Sequence, residues 1–191
     1  MSSLNIVDRK RLPVEFPTQQ HSAMFWEQLG RTVATFGFLE ETLGKAIFAL
    51  TGTREIAPEE IEVEFEKWVS TTLRKALSDP LGSLIDAYGK AVKSSKHAHI
   101  DNFDVLLGDL RRAAELRNVI CHGSWRSPDE TGKSIPLFVD KRDRVFSTKV
   151  DAAYLSQLRR GIVELICSVV DTVTITGFQF PGSKGPGIPI W

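Results

Sequence analysis

The chain has 191 residues, of which 42% are hydrophobic and 25% charged, the profile of a globular domain large enough to bury a core without disulfide staples. Lys+Arg and Asp+Glu both number 24, and this zero balance argues against a protein whose main task is non-specific binding of nucleic acid, while leaving room for a local basic site. No apolar run is long enough for a transmembrane helix, the N-terminus lacks a signal-peptide core, and Cys121 and Cys167 read as free thiols, so the expected location is the cytoplasm.

Residues 1–17 carry the basic cluster Arg9-Lys10-Arg11 and two prolines, and read as an arm. A first helix is expected from Thr18, a suitable N-cap after Pro17, to about Leu50, stopping at Thr51-Gly52. Its apolar positions Phe25, Leu29, Val33, Phe36, Leu43, Ile47 and Leu50 have helical spacing. Gly30, Gly37 and Gly44 recur every seven residues along it. Interior glycines cost roughly 1 kcal/mol each relative to alanine, so this stripe predicts the close approach of another backbone.

A second helix is expected over 58–77, opened by Pro58 and two glutamates and broken by Pro80. A third follows from Leu81 to about Lys93. The polar link SSKHAH leads to a fourth, capped by Asp101 or Asn102 and reaching His122. His97, His99 and Asp101 invite comparison with a metal site, but a polar link between helices is better read as a solvated turn, and no metal or cofactor is assigned. After the loop RSPDETGK, the runs SIPLFV and RVFSTKV flank the turn DKRD and predict a β-hairpin at about 135–149. A last helix spans about 151–174. The Pro/Gly-rich tail, 177–191, carries Phe178, Phe180, Ile188, Ile190 and Trp191, too apolar for a free end, and is expected to dock. The whole reads as one all-α domain over 18–176, a bundle of about five helices with a small hairpin inserted before the last.

The fourth helix raises the functional question. At about 100° per residue, its apolar face holds Phe103, Leu106, Leu107, Leu110, Ala113, Ala114, Ile120 and Cys121. Arg117 falls in the middle of that face. Asn118 and His122 sit adjacent on its flank, with Arg111 further upstream. Arg117 cannot lose its charge, so it needs an acid, a crevice mouth or a second subunit. Glu40 falls on the apolar face of the first helix and is the natural partner. An ordinary reading survives at each position: a structural ion pair, an arginine that snorkels past the bundle end, and a histidine that caps the helix dipole before a left-handed Gly123.

The string Arg117-Asn118-Val119-Ile120-Cys121-His122 resembles the R-N-x-x-x-H signature of the HEPN superfamily (higher eukaryotes and prokaryotes nucleotide-binding domains), which lies at the end of a long helix in an all-α bundle. The string Phe36-Gly37-Phe38-Leu39-Glu40-Glu41-Thr42-Leu43 is also similar to members of this group. The resemblance implies a homodimer with two motif copies facing each other across a cleft. It also implies, for many members, a metal-independent endoribonuclease of toxin–antitoxin or phage-defence systems. In that reading His122 moves a proton, Arg117 pairs with phosphate oxygens, Asn118 orients His122 or donates to phosphate, and Glu40 and Arg111 support them. RNA is the expected partner, and an antitoxin or other partner protein fits the same context. The competing expectation is a non-catalytic module that binds a nucleotide or protein in the same groove.

Overall fold

The computed structural model describes residues 7–53, 56–95 and 100–184. They form an all-α bundle of α1 (Ala23–Gly52), α2 (Ile61–Lys67), α3 (Arg74–Ser78), α4 (Leu81–Ser94), α5 (Phe103–His122) and α6 (Ala152–Ile175). Among them no helix is long and apolar enough to cross a membrane.

The first helix begins later than expected. Ser22, not Thr18, is its N-cap, with Oγ accepting from the Phe25 amide. Thr18 lies in the preceding turns, where its carbonyl accepts the Trp26 indole N–H at 2.8 Å. The short turn Arg9–Arg11 is the only helical element of the described arm.

The expected second helix is one helical course in pieces: a 3-10 turn at Pro58–Glu60, α2, a π-helical turn at Trp68–Leu73, then α3. The cause is visible in the sequence. From Glu60 to Glu66 it alternates Glu-Ile-Glu-Val-Glu-Phe-Glu, a period of two. A helix cannot gather that pattern onto one face, and Ile61, Val63 and Phe65 are left exposed.

α1 packs against α6, α4, α3 and α5. Its buried residues Phe36, Leu39, Leu43, Ile47 and Leu50 join Leu84, Ile85 and Tyr88 of α4, Leu107 and Leu110 of α5, and Ile162, Ile166, Val169 and Val173 of α6 in the main core. Each fully buried aliphatic or aromatic side chain contributes about 1.5–3 kcal/mol. Tyr88 is buried with them, but its hydroxyl lies 2.7 Å from Thr172 Oγ1, so no polar group is stranded; burial raises its pKa well above the usual tyrosine range. From the tail, Phe180 is buried in this core and Phe178 packs against it. Ile188, Ile190 and Trp191 lie outside the described residues.

A smaller core of Phe25, Ile120, Val150 and Leu155, with Trp26, Leu29, Trp125 and Phe146 against it, lies near the starts of α1 and α6 and the end of α5. It holds down the 124–150 segment. The expected hairpin does not form there as paired strands. Instead three isolated antiparallel bridges join Ser124 to Leu137, Ser134 to Val150 and Val139 to Val145. Two of these, Ser134 with Val150 and Val139 with Val145, join the two expected runs in one antiparallel register, but Leu137 between them bonds to Ser124 instead, and Pro136 has no N–H to continue the pairing, so no continuous ladder builds. Asp129 closes the preceding loop. Its carboxylate accepts from Lys149, the Thr131 hydroxyl and amide, and the Lys133 amide, and these bonds, led by Lys149, hold it below the usual carboxylate range.

The glycine stripe is a close-packing device at one position only. A Cβ on Gly44 would stand 2.8 Å from the Ala76 carbonyl oxygen, whereas Gly30 and Gly37 have nothing within 4 Å in the chain. Gly44→Ala is therefore expected to lower the melting temperature, by the equivalent of about 1–3 kcal/mol of overpacking. Gly37→Ala is expected to raise it, by up to roughly 1 kcal/mol of helix propensity. Thermal unfolding of the two variants checks the contrast, and equal losses would refute it.

Candidate functional site

α5 ends at His122, and the reason is steric. Gly123 is extended (φ −69°, ψ 136°), not left-handed as expected, and its amide donates to the Val119 carbonyl at 2.8 Å. A Cβ there would lie 2.5 Å from that same oxygen and 2.8 Å from Pro136 Cβ. Glycine is required because the 124–137 segment turns back against the helix end. Trp125 then packs edge-on to Phe25, ring centroids 5.0 Å apart. Trp125 thereby pins the outgoing chain to the start of α1.

A residue without a sequence signal completes that pin. His21 is buried, stacked on Phe25 at 4.0 Å, and its Nε2 donates to the Arg126 carbonyl at 2.9 Å with Ser134 Oγ at 3.3 Å. The arm root, α1 and the loop after α5 thus meet on one imidazole. Nothing in the spacing around His21 marks it, because its partners are 105 and 113 residues away in the chain.

The fourth helix presents a different face from the one expected. Phe103, Leu107, Leu110, Ala113 and Ile120 are buried as projected, but Val119 is buried too, while Cys121 is exposed. The bridged segment, through Phe138, Val145 and Phe146, lies against Val119 on another side of the C-terminal turns of α5, so the apolar stripe rotates there.

Arg117 does meet Glu40. Its guanidinium lies 3.4 Å from Glu40 Oε1, with the side chains 28% and 29% exposed. That oxygen is itself shielded from solvent and takes no well-oriented hydrogen bond. The pair is therefore a charge contact, weaker than a bidentate bridge. Glu40 also borders a cavity of about 680 Å³ lined by Gly37, Gly44, Phe48, Leu73 and Leu77, among others. Asn118 and His122 are exposed, one turn apart. Arg111 is not brought to the motif: its guanidinium turns to Asp86 of α4 at 3.0 Å.

Beside Asn118 the structure adds a groove of about 390 Å³ between α5 and the bridged segment, floored by Leu116, Val119, Phe138, Val145 and Phe146. Arg144 crosses its rim, bonded to Asp140 at 2.6 Å and reaching Glu115 at 3.3 Å. Along 134–139 Pro136 and Phe138 turn inward while Ile135, Leu137 and Val139 face out, and because the run is apolar on both sides its composition does not mark which side forms the wall.

Arg117 and His122, five residues apart on a helix, diverge by about 140° and rise about 7.5 Å. One chain therefore offers them to a ligand as two separated contacts with Asn118 between. Among the described residues no cluster of histidine, cysteine and carboxylate side chains could hold a metal ion; His97 and His99 lie outside the described residues. No family model matches the chain, and neither the curated proteins nor the solved structures contain a significant match.

Proposed function

We propose that this chain is an endoribonuclease of HEPN type, acting as a homodimer whose two motif copies line a shared cleft. The observation that carries the reading is the pairing of Arg117 with Glu40 at the bundle surface, beside an exposed Asn118 and His122. A guanidinium held by an acid and still partly open to solvent suits phosphate pairing better than packing, which supports this reading. An exposed imidazole one turn beyond Asn118 is free to take the proton from a ribose 2′-hydroxyl or to give one to the leaving 5′-oxygen. A single chain supplies one such imidazole, and a second copy supplies the other, so both roles are filled across the two-fold axis. The groove next to Asn118 gives a nucleobase an apolar floor beside the scissile phosphate.

A second reading, a non-catalytic module binding a nucleotide or protein in the same groove, is favoured by one observation. The cations near the groove are already neutralised within the chain, Arg112 by Asp109 and Arg144 by Asp140 and Glu115, so little free positive charge remains for a polyanion.

Incubating the purified protein with mixed RNA in EDTA separates them. Cleavage to fragments ending in 2′,3′-cyclic phosphate is the expected result. Intact RNA together with saturable nucleotide binding would favour the module.

A further inference from the structure

We infer that an exposed aromatic patch at the far end of α1 receives the basic N-terminal arm of a second copy of this chain. The patch is built from three rings and two aliphatic side chains. Trp68 stands between Phe48 and Phe65, at 5.4 and 6.1 Å between ring centroids. Phe48 shares a cavity wall with Leu73 and Leu77. Phe48, Phe65 and Leu77 are 44%, 58% and 79% exposed. Contiguous apolar surface of this kind marks an interaction site. The two-residue alternation through Glu66 prevents α2 from burying it in its own bundle.

The rim fixes the chemistry of the occupant. Glu59, Glu60, Glu62, Glu64 and Glu66 flank Phe65 and Trp68 in the chain; Lys67 and Lys45 beside the patch are bonded to Glu64 and Glu41, and Arg74 and Lys75 next to Leu73 leave the acids in excess. Such a surface repels nucleic acid and anionic lipid. It equally repels a second patch placed face to face with it, since like charges would meet across the two-fold axis. The fitting occupant is a short segment both apolar and cationic.

The chain carries one. Arg9, Lys10 and Arg11 are consecutive and form no ion pair among the described residues, and Leu12, Val14 and Phe16 beside them are exposed, Val14 fully. Three unpaired cations and three apolar side chains complement the acidic rim and aromatic floor.

The arm cannot serve its own patch. It is tied at Thr18, whose carbonyl holds the Trp26 indole, and at His21, bonded to Arg126. Val14 lies four residues from the first tie, a reach of at most about 14 Å. Phe48 stands 22 residues beyond Trp26 on α1, about 33 Å along the axis. The arm therefore docks in trans, and reciprocal exchange of two arms closes a two-fold dimer. This inference does not rest on the nuclease reading. A dimer that cleaves RNA but ignores its arms would leave that reading standing and overturn this one.

Chains in which Cys121 and Cys167 are replaced by serine test it directly. One preparation adds Val14→Cys, the other Leu77→Cys, and the two are mixed and mildly oxidised. A disulfide joining the two different chains is expected. Its absence, with both proteins folded by circular dichroism, overturns the proposal. In sedimentation, Arg9→Glu/Lys10→Glu/Arg11→Glu is expected to raise the dissociation constant on the order of tenfold, the effect of losing several exposed charge pairs. Mixing that variant with Glu62→Lys/Glu66→Lys chains is expected to restore association. An unreversed monomer at all concentrations, or a reversed arm that associates as well as the parent, overturns it.

Discussion

His122→Ala is expected to lose RNA cleavage by about 10²–10⁴-fold, the contribution of one general acid–base group, while melting close to the parent. The two halves come from one observation. His122 is exposed in the last turn of α5, so truncation opens no core cavity and removes only its interaction with the helix dipole, roughly 0.3–1 kcal/mol. A stable domain tolerates that loss. Circular dichroism melting beside a cleavage assay of the same preparations makes the measurement. Full activity in His122→Ala would reduce the motif to an ordinary helix end closed by Gly123, and the binding-module reading would replace the nuclease.

What the sequence made legible follows from how local each cause is. The long helices were readable because apolar spacing is a local property: α1, α4, α5 and α6 end within a few residues of where spacing, Pro80 and Gly52 put them. The start of α1 was missed because Ser22 and Thr18 are equally good caps, and the choice is made by Trp26 reaching back to the Thr18 carbonyl. The expected hairpin fails as paired strands because strand-like composition around a turn does not fix which backbone groups pair. The two runs meet at Ser134–Val150 and Val139–Val145, but between those points Leu137 turns to Ser124, a partner that no local pattern announces. Glu40 and Arg117 were paired correctly from two helical projections, since opposite charges on two apolar stripes leave few arrangements. Val119, Cys121 and His21 were out of reach. Their surroundings depend on the second core, assembled from the starts of α1 and α6 and the end of α5, and on the 124–150 segment beside it, which no periodicity describes.

Arg117→Ala is expected to lose cleavage by a factor on the order of 10²–10³, comparable to removing one donor from a charge-stabilising site, with a moderate fall in stability. Burial alone would suggest a loss of about 3–5 kcal/mol for breaking an ion pair. The geometry argues for less. The contact is 3.4 Å and both side chains keep more than a quarter of their surface in solvent, which places the pair nearer the roughly 0.2–1 kcal/mol of exposed bridges. One term pulls the other way: Glu40 Oε1 is shielded and has no hydrogen bond to fall back on, and stranding a buried polar atom costs about 1–3 kcal/mol. The sum is about 1–4 kcal/mol, and its origin can be separated. If the stranded carboxylate dominates, adding Glu40→Gln to Arg117→Ala recovers stability without recovering activity, because the charge is gone but the guanidinium is still missing. Urea unfolding of the parent, both single variants and the double variant closes the cycle. A double variant no more stable than Arg117→Ala would show that Glu40 is solvated once its partner leaves. The arginine would then be held at the surface for the phosphate alone, with no share in the fold.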